Sequence, residues 1–157
     1  MDYLLDTNIV LIYLRQSGLK EELDRRLSLF SPENTLLISV GSIGEAKSIA
    51  IQRKWGEKKI AQLEGLLKKL LIADINAKKI IERYAEIDAY SQGKLENKRA
   101  SFTSRNMGKN DLWIASTASI LNAKLITTDK DFRHLDKEYI ELLEVDLDEI
   151  KSKIKKR

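Results

Sequence analysis

The chain contains no cysteine, one proline and one histidine. The first absence excludes a disulfide framework and thiol chemistry, and it suits a reducing cytoplasm. With His134 as the single imidazole, a metal site would have to be built mostly from oxygen ligands. With one proline, long structureless linkers are not expected. No apolar run approaches the roughly 20 residues that cross a bilayer. Asp6 interrupts the first apolar stretch and no basic residue precedes it, so the start does not read as a secretory signal. These absences lead us to expect a cytoplasmic protein without membrane contact.

What is present suits one soluble domain. Hydrophobic residues make up 43% and charged residues 33% of 157 positions, enough for a sizeable core. The net charge of +4 permits a polyanionic partner without identifying one. There is no internal repeat. The expected organisation is a domain over residues 1–145, followed by a basic helix or tail over 146–157.

Apolar periodicity predicts alternating strands and helices. Strands are expected at 2–5, 35–40, 72–75, 124–128 and, more weakly, 139–143. Helices are expected at 7–16, 19–30, 42–53, 57–71, 77–91 and 110–121, with another from 146. Ser17-Gly18 reads as the stop of the first helix, and Leu19, Leu23, Leu27 and Phe30 as one face of the second. Residues 92–109 are polar and read in part as an exposed loop. The alternation implies an α/β fold with a largely parallel sheet covered by helices on both faces. An all-helical bundle is the competing architecture.

Four acids stand where such a sheet would present them together. Asp6 ends the first strand, either as a helix cap or as a ligand. Glu45 lies on a helix whose face, read from Ser42, carries small and polar neighbours, and a solvated first-turn glutamate is the plain alternative. Asp111 opens a helix whose inward face holds Ile114, Ala115 and Ala118, so its carboxylate sits at the lip of the core. Asp129 repeats the Asp6 pattern after Leu125-Ile126-Thr127-Thr128. Asp131 follows as the favoured cap of the next turn, or as an outer ligand. Two like charges about 4 Å apart repel by roughly 4 kcal/mol at an effective dielectric near 20. A cluster of four therefore calls for protons or a cation, and hard oxygen ligands point to Mg²⁺ or Mn²⁺.

At these residues the chain resembles the PIN-domain ribonucleases, most of all the VapC-like toxins of toxin–antitoxin pairs. The resemblance rests on four pieces in order: Leu5-Asp6-Thr7-Asn8, Ser39-Val40-Gly41-Ser42-Ile43-Gly44-Glu45, Asn110-Asp111-Leu112-Trp113-Ile114-Ala115, and Leu125-Ile126-Thr127-Thr128-Asp129-Lys130-Asp131-Phe132. It implies a PIN-like fold, an acidic pocket for one or two Mg²⁺ or Mn²⁺ ions, and endonucleolytic cleavage of RNA to a 3′-hydroxyl and a 5′-phosphate. It places Asp6, Glu45, Asp111 and Asp129 on the family's acidic positions. Thr7, Asn8 and Thr128 fall on accompanying polar positions, and Asp131 on a less constant acid. Gly41 and Gly44 depart from the family's pattern, which bears on where that helix begins and how Glu45 is aimed.

On this reading Asp6, Asp111 and Asp129 hold metal, and Glu45 is a further ligand or orients the water. Arg105 and Lys109, with Lys98 and Arg99, would meet RNA phosphates or line a solvated loop. Lys151, Lys153, Lys155, Lys156 and Arg157 suit a solvated helix end or a phosphate-binding tail. His134 reads as a loop histidine rather than a general base, and Trp55 and Trp113 as packing residues. A toxin would need an antitoxin, and the apolar helices around 9–30 and 60–71 serve either a homodimer or the monomer core. Three other functions compete. One is a phosphotransfer domain with an aspartyl nucleophile, disfavoured because Asn8 stands where a second acid would be needed. Another is a nuclease of RNA processing or DNA metabolism. The last is a binding module with an inactive site.

Overall fold

A computed structural model describes residues 1–15 and 18–157. Five strands, β1 (Asp2–Leu5), β2 (Thr35–Ser39), β3 (Leu71–Ala73), β4 (Lys124–Thr127) and β5 (Glu141–Glu144), form one sheet in the order β3-β2-β1-β4-β5. Every pairing is parallel. The helices are α1 (Thr7–Leu14), α2 (Gly18–Leu27), α3 (Val40–Gln52), α4 (Glu57–Leu67), α5 (Lys78–Ser91), α6 (Lys109–Leu121) and α7 (Leu147–Lys155), with a 3₁₀ turn at Lys130–Leu135.

The period of two in the strands divides the core. Leu5, Ile38 and Ile126 face one cluster with residues of α1–α4 and α7. Leu4 and Leu125 face another, filled by α5, α6 and the 3₁₀ turn. Parallel strands buried on both faces carry apolar residues on both faces, which is why Leu4-Leu5 and Leu125-Ile126 are continuous runs. Helix α1 is apolar nearly all round and correspondingly buried from Ile9 to Leu14.

Several boundaries differ from expectation. Helix α1 ends at Leu14 with Arg15 extended behind it, and residue 16, its expected end, lies outside the described residues. Of its expected stop, Ser17 lies outside the described residues, while Gly18 is the first residue of α2 and packs against Ile154. Helix α2 ends at Leu27 because Ser28 turns left-handed (φ 45°). Leu29 therefore fills the core, and Phe30 is left 38% exposed with its ring edge-on to Tyr13. Strand β2 stops at Ser39, whose hydroxyl oxygen accepts the Ser42 N–H, so α3 begins at Val40 rather than 42. Strand β3 begins at Leu71, one residue before its expected start, and α4 ends at Leu67. Residues 9–14 with Leu19 and Leu23 are monomer core, which uses up that part of the face considered for a homodimer.

Residues 92–108 form no helix or strand, yet they are pinned at several points. The Arg105 N–H donates to the Ser91 carbonyl at 2.8 Å, Phe102 packs on Tyr90 and His134, and Met107 is buried. At the far end Asp146 caps α7, whose Ile150 is buried in the first cluster, so the basic terminal helix shares the core of the preceding residues.

Candidate metal centre at the carboxyl end of the sheet

Register brings the first acid into place. Leu5 stands opposite Ile38 on one side and Ile126 on the other, and the Asp6 N–H continues the ladder to the Ile126 carbonyl at 3.0 Å. Asp6 is extended and 5% exposed. Its Oδ1 accepts the Thr7 N–H at 2.6 Å, capping α1, and its Oδ2 accepts the Thr127 hydroxyl at 2.6 Å. Cap and acidic site residue are thus one side chain. Burial pushes its pKa up, the bonds from Thr127 and Thr7 oppose that, and the charges of Glu45 and Asp129 add to the rise.

Glu45 is exposed on α3, and both its oxygens are taken. Oε2 accepts the Thr7 hydroxyl at 2.8 Å and Oε1 accepts the Asn110 amide at 2.5 Å. Asp111, in the first turn of α6, is partly buried, and Ile114, Ala115 and Ala118 beneath it are buried as expected. Its pKa is pushed up to about 7, first by burial and then by the charges of Asp6, Asp129, Glu45 and Asp131. Asp129 caps the 3₁₀ turn, accepting the Asp131 N–H at 2.9 Å, while its own N–H donates to Thr127 Oγ1 at 3.0 Å. The capping role expected of Asp131 therefore falls to Asp129, because the turn starts at Lys130, and Asp131 lies exposed.

The four acids meet through shared partners and mutual repulsion. Thr7 joins Asp6 to Glu45, Thr127 joins Asp6 to Asp129, and Asp111 senses all of them. Among the described residues none of the five acids pairs with a lysine or arginine side chain. No three of the described acids or imidazoles stand close enough to grip an ion as they are. The carboxylates of Asp6, Glu45 and Asp129 are instead turned onto protein donors. Their chemistry nevertheless fits a hard divalent cation: every candidate ligand is a carboxylate oxygen, and each bonded oxygen keeps a second lone pair.

Two contributors were not weighed from sequence. Thr127, fully buried, does what was expected of Thr128, which makes no hydrogen bond among the described residues. Counting the parallel register one step past Leu5 and Ile126 puts Thr127 beside Asp6. Asn110 opens a helix and one of the four motif pieces in the sequence, but neither gives it a partner; in the structure its amide meets Glu45. Asn8 is exposed on the first turn of α1.

The basic candidates divide. The Arg105 guanidinium reaches the Asp131 carbonyl at 3.5 Å, beside the acids, and Lys109 is exposed at the start of α6. Lys98 is engaged elsewhere, with Glu138 at 3.3 Å and over the Tyr139 ring. His134 shares a 2.7 Å hydrogen bond with Ser91, and its pKa is pushed down to about 4 by burial and by Arg105, so it is neutral at pH 7. Trp113 packs on Tyr84 and Trp55 on the first cluster. A cavity of about 760 Å³ lies elsewhere, lined by Tyr13, Asp24, Phe30 and Lys69 among others. Side-chain chemistry rather than volume singles out the acidic edge.

In an open parallel α/β sheet the carboxyl end is where ligands bind, and here it carries the set of acids. The chain belongs to the PIN domain family, whose model matches residues 3–138. No curated protein matches it. Among solved structures it is similar to a chain of VapBC2 from Rickettsia felis, crystallised with a DNA fragment from their promoter. That match has 26% identity and a TM-score of 0.70, and covers 93% of this chain and 100% of the other. A chain of VapBC-1 from nontypeable Haemophilus influenzae also shows 26% identity, with a TM-score of 0.69 over 92% and 98%. VapBC-5 from Mycobacterium tuberculosis, a member of the VapBC family of toxin–antitoxin systems, shares the fold at 21% identity, with a TM-score of 0.58 over 92% and 98%. No helix among the described residues is long and apolar enough to cross a membrane.

Proposed function

We infer that the chain is a Mg²⁺- or Mn²⁺-dependent endoribonuclease, acting in the cytoplasm as the toxin of a toxin–antitoxin pair. The observation that carries this reading is the coupling of Asp6, Glu45, Asp111 and Asp129 at one edge of a PIN fold, with no lysine or arginine among the described residues paired to them. The similarity to chains of VapBC assemblies supports a cognate antitoxin as partner.

Asp6, Asp111 and Asp129 would hold the metal. When bound, such an ion supplies Lewis acidity toward a phosphoryl oxygen and favours deprotonation of water. Glu45, held by Thr7 and Asn110, accepts a proton from the attacking water and aligns it. The water oxygen forms the new bond to phosphorus as the bond to the 3′-oxygen breaks, and the departing 3′-oxygen takes up a proton from solvent, leaving a 3′-hydroxyl and a 5′-phosphate. No side-chain nucleophile is needed. Arg105 and Lys109 flank the edge and would bind neighbouring phosphates, which gives affinity with little base selection. A homodimer would use what stays exposed of the two apolar stretches, Phe30 of the first and Ile60 and Leu71 of the second.

The test is RNA cleavage by the purified protein with Mg²⁺ or Mn²⁺, and end sequencing of cellular RNA after induction. Cleavage should require the metal and vanish in Asp6→Asn. Full activity in excess EDTA would rule the reading out, and cleavage confined to DNA would redirect it to DNA metabolism.

A further inference from the structure

Glu45 is exposed, so nothing about burial fixes its aim. Two donors do. One is the Thr7 hydroxyl, on the turn that also caps with Asp6. The other comes from α6, where the Asn110 amide donates to Oε1 at 2.5 Å. Asn110 reaches across to α3 only because residue 41 has no side chain. A Cβ built on Gly41 would collide with the Asn110 Oδ1. Gly41 has no left-handed backbone that would demand glycine, so close approach is what this position requires. Gly44, by contrast, has open space where its Cβ would be, and nothing there calls for a glycine. Of the two glycines, one therefore has a structural task and the other has none.

We propose that Asn110 is a positioning residue for Glu45, and that Gly41 is the clearance that lets it act. This rests on the nuclease reading for its effect on catalysis, and on geometry alone for the contact. The device links three chain segments. The first turn of α1 holds one carboxylate oxygen, the first turn of α6 holds the other, and α3 supplies both the acid and the gap. Asp111 follows Asn110 directly, so the amide that aims Glu45 also ties the Asp111 turn to α3. A carboxylate held at both oxygens keeps one orientation, whereas one held by Thr7 alone can swing about that single bond.

The consequences differ for the two glycines and for the two chemistries. Removing a group that orients another typically costs 10- to 100-fold in activity or metal affinity. Asn110→Ala should lower kcat for RNA cleavage by that range with KM nearly unchanged, because the substrate contacts remain. Gly41→Ala should reproduce the loss by displacing the amide, and should add little once Asn110→Ala has removed the obstacle. Gly44→Ala should leave kcat within about twofold, since its Cβ enters open space.

The experiment combines those rates with a thermal cycle on the metal-free protein. Asn110→Ala should lower the melting temperature by about 2–4 °C when Glu45 is present, and by much less in a Glu45→Ala background. Equal drops in both backgrounds would overturn the proposal, as would an additive loss of kcat in the Gly41→Ala, Asn110→Ala double variant. The thermal cycle needs neither metal nor RNA. An inactive wild-type protein would thus sink the nuclease reading, while the melting temperatures would still decide on Asn110.

Discussion

Asp6 and Glu22 are both almost fully buried carboxylates, and their surroundings are opposite. Glu22, on α2, accepts from Arg25 at 2.6 and 3.0 Å and from Arg26 at 2.8 Å, with Arg157 at 3.5 Å. Hydrogen bonds from Arg25 and Arg26 hold its pKa down to about 2. Asp6 has only a hydroxyl and a backbone N–H, and burial pushes its pKa the other way. One region spends its acid on holding α2, α7 and the chain end together. The other keeps several acids near one another with no ion pair to any of them among the described residues, which destabilises the fold and leaves a place for an external cation. A buried acid is thus informative only through what neutralises it.

The sharpest way to break this contrast is to neutralise one acid in each region. Asp6→Asn or Asp111→Asn should reduce RNA cleavage by about 10³-fold or more, with a melting temperature unchanged or raised, because repulsion is relieved. Glu22→Gln should do the reverse. Three arginines would lose their shared partner, so melting should fall by roughly 5–10 °C, with cleavage retained below that temperature. If folded Glu22→Gln lost activity as completely as Asp6→Asn, the two regions would not be functionally distinct.

Metal addition sharpens the contrast next. Mn²⁺ at about 100 times its dissociation constant should raise melting by several degrees at pH 7.5, since it binds only the folded site. The shift should disappear in Asp111→Asn and persist in Glu22→Gln. A shift of equal size in all three proteins would place the ion outside the acidic edge.

The pH dependence should carry opposite signs. Glu22 is depressed in the fold, so its contribution is complete above the unfolded carboxylate pKa near 4.3 and is lost as pH falls toward about 2. Asp111 is raised to about 7, so the folded form keeps its proton where the unfolded chain has released it. Its penalty is absent below about pH 4 and complete above about pH 7, and stability declines across that window. Melting curves in EDTA should show Glu22→Gln flattening the acid limb and Asp111→Asn flattening the decline between pH 4 and 7. Unaltered limbs in both variants would refute the assignment.

The same contrast explains what could be read from sequence. The sheet was legible because apolar runs buried on both faces are short and bounded, as at Leu4-Leu5 and Leu125-Ile126. The acids were legible because strand ends and helix starts converge in a parallel sheet, and Asp6, Asp111 and Asp129 stand at those places. Boundaries set by single backbone conformations were not. Ser28 turning left-handed, which moves Leu29 inward and Phe30 outward, has no periodic signature. Nor do contacts that cross between distant segments, such as Asn110 on Glu45, since they depend on how α3 and α6 approach. The Glu22 cluster was missed for another reason. Its i+3 and i+4 arginines look like a surface pattern, and Arg25 does stay 56% exposed; the burial of Glu22 itself comes only with the packing of α7 and Arg157 against α2.

The smallest effect separates two adjacent threonines. Both 127 and 128 are Thr, and composition cannot choose between them. Thr127 is fully buried, donates to Asp6 and accepts from the Asp129 N–H, so it joins two acids of the site. Thr128 makes neither bond. Thr127→Val keeps the shape of the side chain and removes the hydroxyl, leaving one Asp6 oxygen and the Asp129 N–H without their partner. A buried acceptor left unsatisfied costs about 1–3 kcal/mol, so melting should fall by about 3–6 °C. Cleavage should fall by about tenfold, as expected for a group that orients a metal ligand. Thr128→Val should change melting by only about 1 °C and cleavage by less than about twofold. If the two valine variants behaved alike, the parallel register would not be what selects the functional threonine, and the role of Thr127 in holding Asp6 would have to be withdrawn.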